Sequence, residues 1–247
     1  MTDREPQDRP AAGQRRRRPG RPRAAPKRQN GLSTREEILI AASNLFGEQG
    51  YQATSTRQIA DSVGIKQATL YYHFADKRAI LTSLLSSTVT PALDCARWLE
   101  AQDINPEVRL CALVRYDLDT LLRDRLNLHV LYHLPGLVSD DFEPTHSAQA
   151  TLRDTYRRFG RAALEALHPP DRVDTLAHDL DLVFALVEAA VSQRQWGGEE
   201  SRARYAGSVV RGTLRLLGVE EALIPGIIAS AADTLSGYPD APRAKGP

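Results

Sequence analysis

Two short stretches, STRQIADSV (residues 55–63) and KQATLYYH (66–73), meet at Gly64, and this joint constrains the fold more than any other feature of the chain. Both stretches have helical character, and a glycine between them supplies the positive φ that a tight turn often needs. Ala60 is small where the second helix must cross the first closely. Ile59, Val63, Ile65 and Leu70 can fill a core against a preceding helix. Tyr71, Tyr72 and His73 are consecutive, so they cover most of one helical turn and at least one ring must face outward. Lys66, Gln67 and Thr69 face outward with them. This is the spacing of a helix-turn-helix. Lysine, amide, hydroxyl and phenol on one face suit a DNA groove, where glutamine bonds an adenine edge and hydroxyls and imidazole reach phosphates. Spacing alone leaves open a surface turn of a helical bundle with incidental aromatics.

The rest of the chain reads as helix after helix, with no convincing alternating strand and no internal repeat. STREEILIAASNLFGEQG opens with Ser33 and Thr34 as caps, carries the stripe Ile38, Ala42, Leu45, Phe46, and stops at Gly50. Asp76 caps a fourth helix with Ile80, Leu81, Leu84 and Leu85, which Pro91 is expected to kink or end. Further helices are expected near 106–124, 127–134, 147–167, 172–195, 200–217 and 220–235. The fold class is therefore all-α.

Composition sets the class of partner. Residues 1–32 hold ten Lys/Arg against three Asp/Glu, a net of +7; residues 33–86 hold five of each; residues 87–247 hold seventeen against twenty-three, a net of −6. A basic arm on a neutral-to-acidic body points to a polyanion for the arm only. Residues 1–31 carry few large apolar groups and are expected to be disordered in isolation. No run approaches eighteen apolar residues, and the arginine-rich start lacks the apolar region of a secretory signal, so a cytoplasmic chain with no membrane contact is expected. Cys95 and Cys111 lack metal-type spacing and read as buried free thiols.

Residues 33–85 resemble the N-terminal DNA-binding domain of the TetR (tetracycline-repressor-like) family, through LFGEQGYQATS, TRQIADSVGI and TLYYHFADKRAIL in unbroken register. The resemblance implies a basic arm over 1–31, a three-helix helix-turn-helix domain over 32–85, and a helical ligand-binding and dimerisation domain over 86–247. It implies that Arg57 reads a base, that Gln67, Ala68 and Tyr71 touch bases, and that Thr56, Thr69, Tyr72, His73 and Lys77 grip the backbone. Lys66 departs from the small capping residue often found at its position; lysine cannot cap, which implies either a looser helix start or an extra DNA contact at Lys66. The implied protein is a homodimeric regulator, more a repressor than an activator, with two heads about 34 Å apart on palindromic double-stranded DNA.

The arm contains RRRRPGRPRAAPKR (15–28), whose Gly20-Arg21-Pro22 core is similar to an AT-hook, with Pro19 where an arginine usually stands. Arg21 would then enter an A/T minor groove. A general polyanion-binding tail is the other reading; both add affinity through counterion release.

In the regulatory half, LDLVFALVEAAV is apolar nearly all round and needs cover on both sides. Tyr205, Val209, Val210, Leu214 and Leu217 supply one side, and the family pairs its last two long helices with those of a second subunit. Arg115, Tyr116, His129, Tyr132 and His133 stand among apolar residues, as in a small-molecule site. Tyr116, His129 and Tyr132 are the candidate anchors for a mostly apolar effector. His129 and His133 lack an evident third metal ligand, so no metal or cofactor is expected. Trp98, Phe159, Phe184 and Trp196 read as core or interface. Without G-x-S-x-G, a P-loop or H-E-x-x-H, no catalytic site is expected. An architectural DNA-binding protein driven by the arm would not need a net-acidic helical domain of 161 residues, and a helical ligand carrier would not need the helix-turn-helix.

Overall fold

Ser33 caps the first described helix. Its hydroxyl accepts from the Glu36 amide at 3.2 Å and its own amide donates to the Glu36 carboxylate at 2.7 Å, the capping box of helix α1 (Thr34–Gln49). Ile38, Ala42 and Phe46 are fully buried on its inner stripe. Gly50 ends it at φ 85°. The computed structural model describes residues 32–123, 143–193 and 198–239, with eleven helices and no strand among them. The described residues from Ser33 onward belong to one compact unit.

After α2 (Thr56–Val63) and α3 (Gln67–His73) comes α4 (Lys77–Glu100), capped by Asp76, whose Oδ1 accepts from the Ala79 amide at 2.7 Å. Pro91 does not end α4. A proline costs the helix one hydrogen bond, here to the Ser87 carbonyl. Ala92, Cys95, Ala96 and Leu99 beyond it are buried and hold the helix on course. α4 thereby spans the expected boundary at 85/86. It is the one helix among the described residues with the length and mean hydropathy, 1.2, of a membrane span. Its buried residues, from Ile80 to Leu99, belong to the protein's own core, which accounts for that apolarity.

α5 (Pro106–Arg123) lies at the centre of the helical region beyond α3 and packs against α4, α6 (Glu143–Leu167), α10 (Glu199–Leu216) and α11 (Ile224–Ser236). The Arg109 guanidinium donates to the Leu99 and Gln102 carbonyls at 3.2 and 3.1 Å, tying the end of α4 to the start of α5. The helix expected over 127–134 lies outside the described residues. The single helix expected over 172–195 is instead α7 (Pro170–Ala177), α8 (Leu180–Glu188) and α9 (Ala190–Gln193). The break at His178–Asp179 brings Leu180 onto Gly160 of α6, where any Cβ would stand 2.5 Å from a Leu180 methyl. α11 starts at Ile224 rather than near 220, because Pro225 fits the first turn of a helix.

Val183, Phe184, Val187, Ala190 and Val191 are buried, yet Leu182 is 50% and Leu186 37% exposed. With Ala185 and Ala189 they form an uncovered apolar stripe along α8. Phe159 is buried and Trp98 half-buried. The Trp98 ring meets Tyr238, from beyond α11, at 5.2 Å. Both cysteines are buried and free, and burial pushes each thiol up to about 12.

Candidate nucleic-acid interface

Ser55 caps α2 as Ser33 caps α1: its hydroxyl accepts from the Gln58 amide, and its amide donates to the Gln58 side chain at 2.8 Å. Gly64 lies at φ 72°, ψ 30°, and the Ile65 amide reaches back to the Ala60 carbonyl at 3.0 Å. A side chain in this left-handed conformation would be strained, so glycine sets the turn. Ile59, Leu70 and Phe74 anchor the two helices to α1 and α4 from below. Lys66 precedes α3 with no side-chain cap, as its chemistry requires, and is exposed.

The outer face holds most of the residues expected there. Arg57, Lys66, Gln67, Ala68 and Thr69 are exposed, Thr56 and His73 half-buried. Tyr71 is 47% and Tyr72 85% exposed, so two of the three consecutive rings face outward while Leu70 holds the core. Tyr72 meets the His73 ring edge-on at 5.2 Å. The Thr56 hydroxyl and Tyr71 hydroxyl share a hydrogen bond of 3.1 Å, and Gln67 Nε2 donates to Thr56 Oγ1 at 3.2 Å. This triangle, closed by Gln67 Nε2 donating to the Tyr71 hydroxyl at 3.4 Å, links α2 to α3 and orients the Gln67 amide, leaving its carbonyl for a base edge. Arg57 stands 3.9 Å from Asp61 in a solvated pair too weak to hold it.

Lys77 does something else. Its ammonium donates to the Tyr51 and Thr54 carbonyls at 2.7 Å each and to the Gln52 carbonyl at 3.4 Å. It also lies 4.3 Å from the centre of the Tyr51 ring. Burial lowers its pKa. Its donors are directed at the carbonyls of the α1–α2 loop. The sequence reading passed over the other half of this device, Thr54, buried with its hydroxyl donating to the Gly50 carbonyl at 2.8 Å. A threonine between two helices carries no signal of its own.

Arg21, His129 and Tyr132 lie outside the described residues. Tyr116 is buried with its ring against Tyr238 at 5.3 Å. The reading also missed its neighbour Asp117, which is buried and accepts from the Tyr156 hydroxyl at 2.9 Å. The signal was present: Asp117 falls on the stripe Leu110, Leu113, Val114, Leu118, Leu121 of α5.

A helix-turn-helix with a polar outer face, carried on a helix that continues into a larger helical core, defines a DNA-binding regulator. Residues 38–84 match the family described as bacterial regulatory proteins, tetR family. The structure of AmtR from Mycobacterium smegmatis is 39% identical with a TM-score of 0.72, over 85% of this chain and 97% of that one. The HTH-type transcriptional repressor KstR2 of Rhodococcus jostii is 35% identical over 80 residues, 32% of this chain and 39% of that protein. The class D tetracycline repressor protein of Escherichia coli is 44% identical over 50 residues, 20% of this chain and 23% of that protein. The chain thus spans less than two fifths of these curated relatives. It belongs to the TetR family of transcriptional regulators, which are not enzymes.

Proposed function

We propose that this TetR-family regulator is a repressor that binds a palindromic operator as a homodimer and is released by a small-molecule effector. The observation that carries the reading is the polar face of α2 and α3, with Arg57, Gln67, Ala68 and Tyr71 turned outward above a buried Ile59 and Leu70. Arg57 and Gln67 offer paired donors and acceptors to base edges, while Thr69, Tyr72, His73 and Lys66 reach phosphates on either side. Thr56 supports the readers through its hydroxyl. The basic arm, residues 1–31, adds phosphate neutralisation.

Dimerisation is supported by the stripe Leu182, Ala185, Leu186, Ala189, which a monomer leaves in water. A small molecule seated in the regulatory half acts through α4, since that one helix carries the head at its start and core residues at its end. Operator DNA puts the work in the cytoplasm. The test is selection of bound duplexes from a random pool, with light scattering of the free protein. A palindrome bound by two subunits is expected; binding without sequence preference would favour an architectural role.

A further inference from the structure

Asp117 is 2% exposed and sits where four helices of the regulatory half converge. Its Oδ2 accepts from the Tyr156 hydroxyl of α6, which is itself buried and has Phe184 of α8 against its ring at 5.4 Å. Its Oδ1 has no hydrogen-bond partner. The titratable groups around it are the Cys95 thiol of α4, the Tyr156 hydroxyl of α6 and the Glu188 carboxylate of α8. None of them is a cation. Arg153 of α6, close by in the chain, stands over the Phe184 ring at 5.2 Å instead.

A buried carboxylate oxygen without a donor is a cost to the fold. Tyr156 offsets one side only, and Glu188 adds negative charge. A leucine would continue the stripe of α5 at no such cost. Among the described residues none supplies that donor, and two acidic groups with no described counter-cation suit a positively charged one. The surrounding side chains, Val114, Leu118 and Phe184, are apolar. We propose that Asp117 anchors a ligand carrying a protonated amine on an apolar body, its ammonium donating to Oδ1.

This rests on the reading that the regulatory half receives an effector, and it gives that effector a chemistry. It also gives it a route to the DNA. Oδ1 is closed off from solvent, so an ammonium reaches it only if the helices packed round it part, and one of those helices, α4, carries the reading head. The amine therefore binds a rearranged state more tightly than the closed one, which is the differential affinity that release requires.

The experiment uses the full chain and three probes with one alkyl body: hexylamine, hexanol and hexanoate. Each is titrated by calorimetry against the native chain and Asp117→Asn. The amine is expected to bind the native chain at least about tenfold more tightly than the alcohol, and Asp117→Asn is expected to erase that preference. Equal amine affinity in both proteins, or no amine binding, overturns the proposal. Should Asp117→Asn fail to fold, the native chain alone decides. Burial raises the Asp117 carboxyl to about 7 while the amine stays protonated, so amine affinity is expected to weaken as pH falls below about 7. Operator titrations separate the two readings. An amine that binds through Asp117 and leaves operator affinity unchanged upholds the site and refutes its role as an effector site. Release of operator by a neutral apolar compound alone refutes the site and leaves the effector reading standing.

Discussion

Replacing Lys77 with methionine removes the ammonium and keeps the stem. Two hydrogen bonds of 2.7 Å and one of 3.4 Å go with it, as does the contact with the Tyr51 ring. Charge-assisted hydrogen bonds contribute about 1.5–3 kcal/mol each. Lys77 is only half-buried and the freed carbonyls meet water, so the net loss is about 1 kcal/mol per head. The α1–α2 loop that presents Ser55 and Thr56 then loosens and must be ordered again on binding. For two heads this amounts to about 2 kcal/mol, roughly 30-fold in operator affinity. A residue gripping phosphate would produce a similar loss, so affinity alone does not discriminate. The salt dependence does. Each lost phosphate contact flattens the slope of log K against log salt by about 0.9, hence about 1.8 for two subunits. A strut leaves the slope unchanged. Lys77→Arg sharpens the contrast, because its planar fork can meet a phosphate but cannot reproduce three converging bonds to carbonyls. A flatter slope in the methionine variant, with full affinity restored by arginine, would refute the strut and return Lys77 to the DNA backbone.

Four further outcomes are expected. Arg57→Ala, Gln67→Ala and Tyr71→Ala should each lower specific binding by about 1–3 kcal/mol with the fold intact, checked by comparing operator with scrambled duplex. Leu182→Glu with Leu186→Glu should shift the protein toward monomer in sedimentation while helicity by circular dichroism holds, because both positions already face water within one chain. Deleting residues 1–31, with their excess of positive charge, should weaken operator binding and flatten its salt slope without changing the oligomeric state. Burial raises the Asp117 carboxyl to about 7, so its contribution to stability is fully present below about pH 4 and lost as pH rises through 7. Asp117→Asn lacks that loss, and its melting temperature relative to the native chain should climb between about pH 4 and 7 and then level off.

The reading head was legible because its signals are local. Ser55, Gly64 and the crowded rings each act within a turn of their own position, and the match to a known family runs through them. What failed to show needed distant partners. The break before Leu180 depends on Gly160, a residue on another helix. Pro91 sits inside α4 because buried residues beyond it outweigh one lost hydrogen bond. Lys77 turns inward because three carbonyls of the loop before α2 converge on it, which no spacing in the sequence announces. The Tyr116–Tyr238 ring contact joins residues far apart in the chain, so no local pattern announced it. Asp117 was the exception, visible as an acid on an apolar stripe and passed over.

The ring cluster of Trp98, Tyr238 and Tyr116 has an optical consequence. The indole belongs to α4 and rests on an aromatic side chain from the far end of the chain. Any tilt of α4 against α11 alters the polarity and the quencher distances around that indole, and so its emission. Trp196 is the only other tryptophan in the sequence, and Trp196→Phe leaves a single tryptophan, Trp98, on the helix that joins head to core. The protein thus carries its own dye on its own lever, readable in a stopped-flow cuvette without any label.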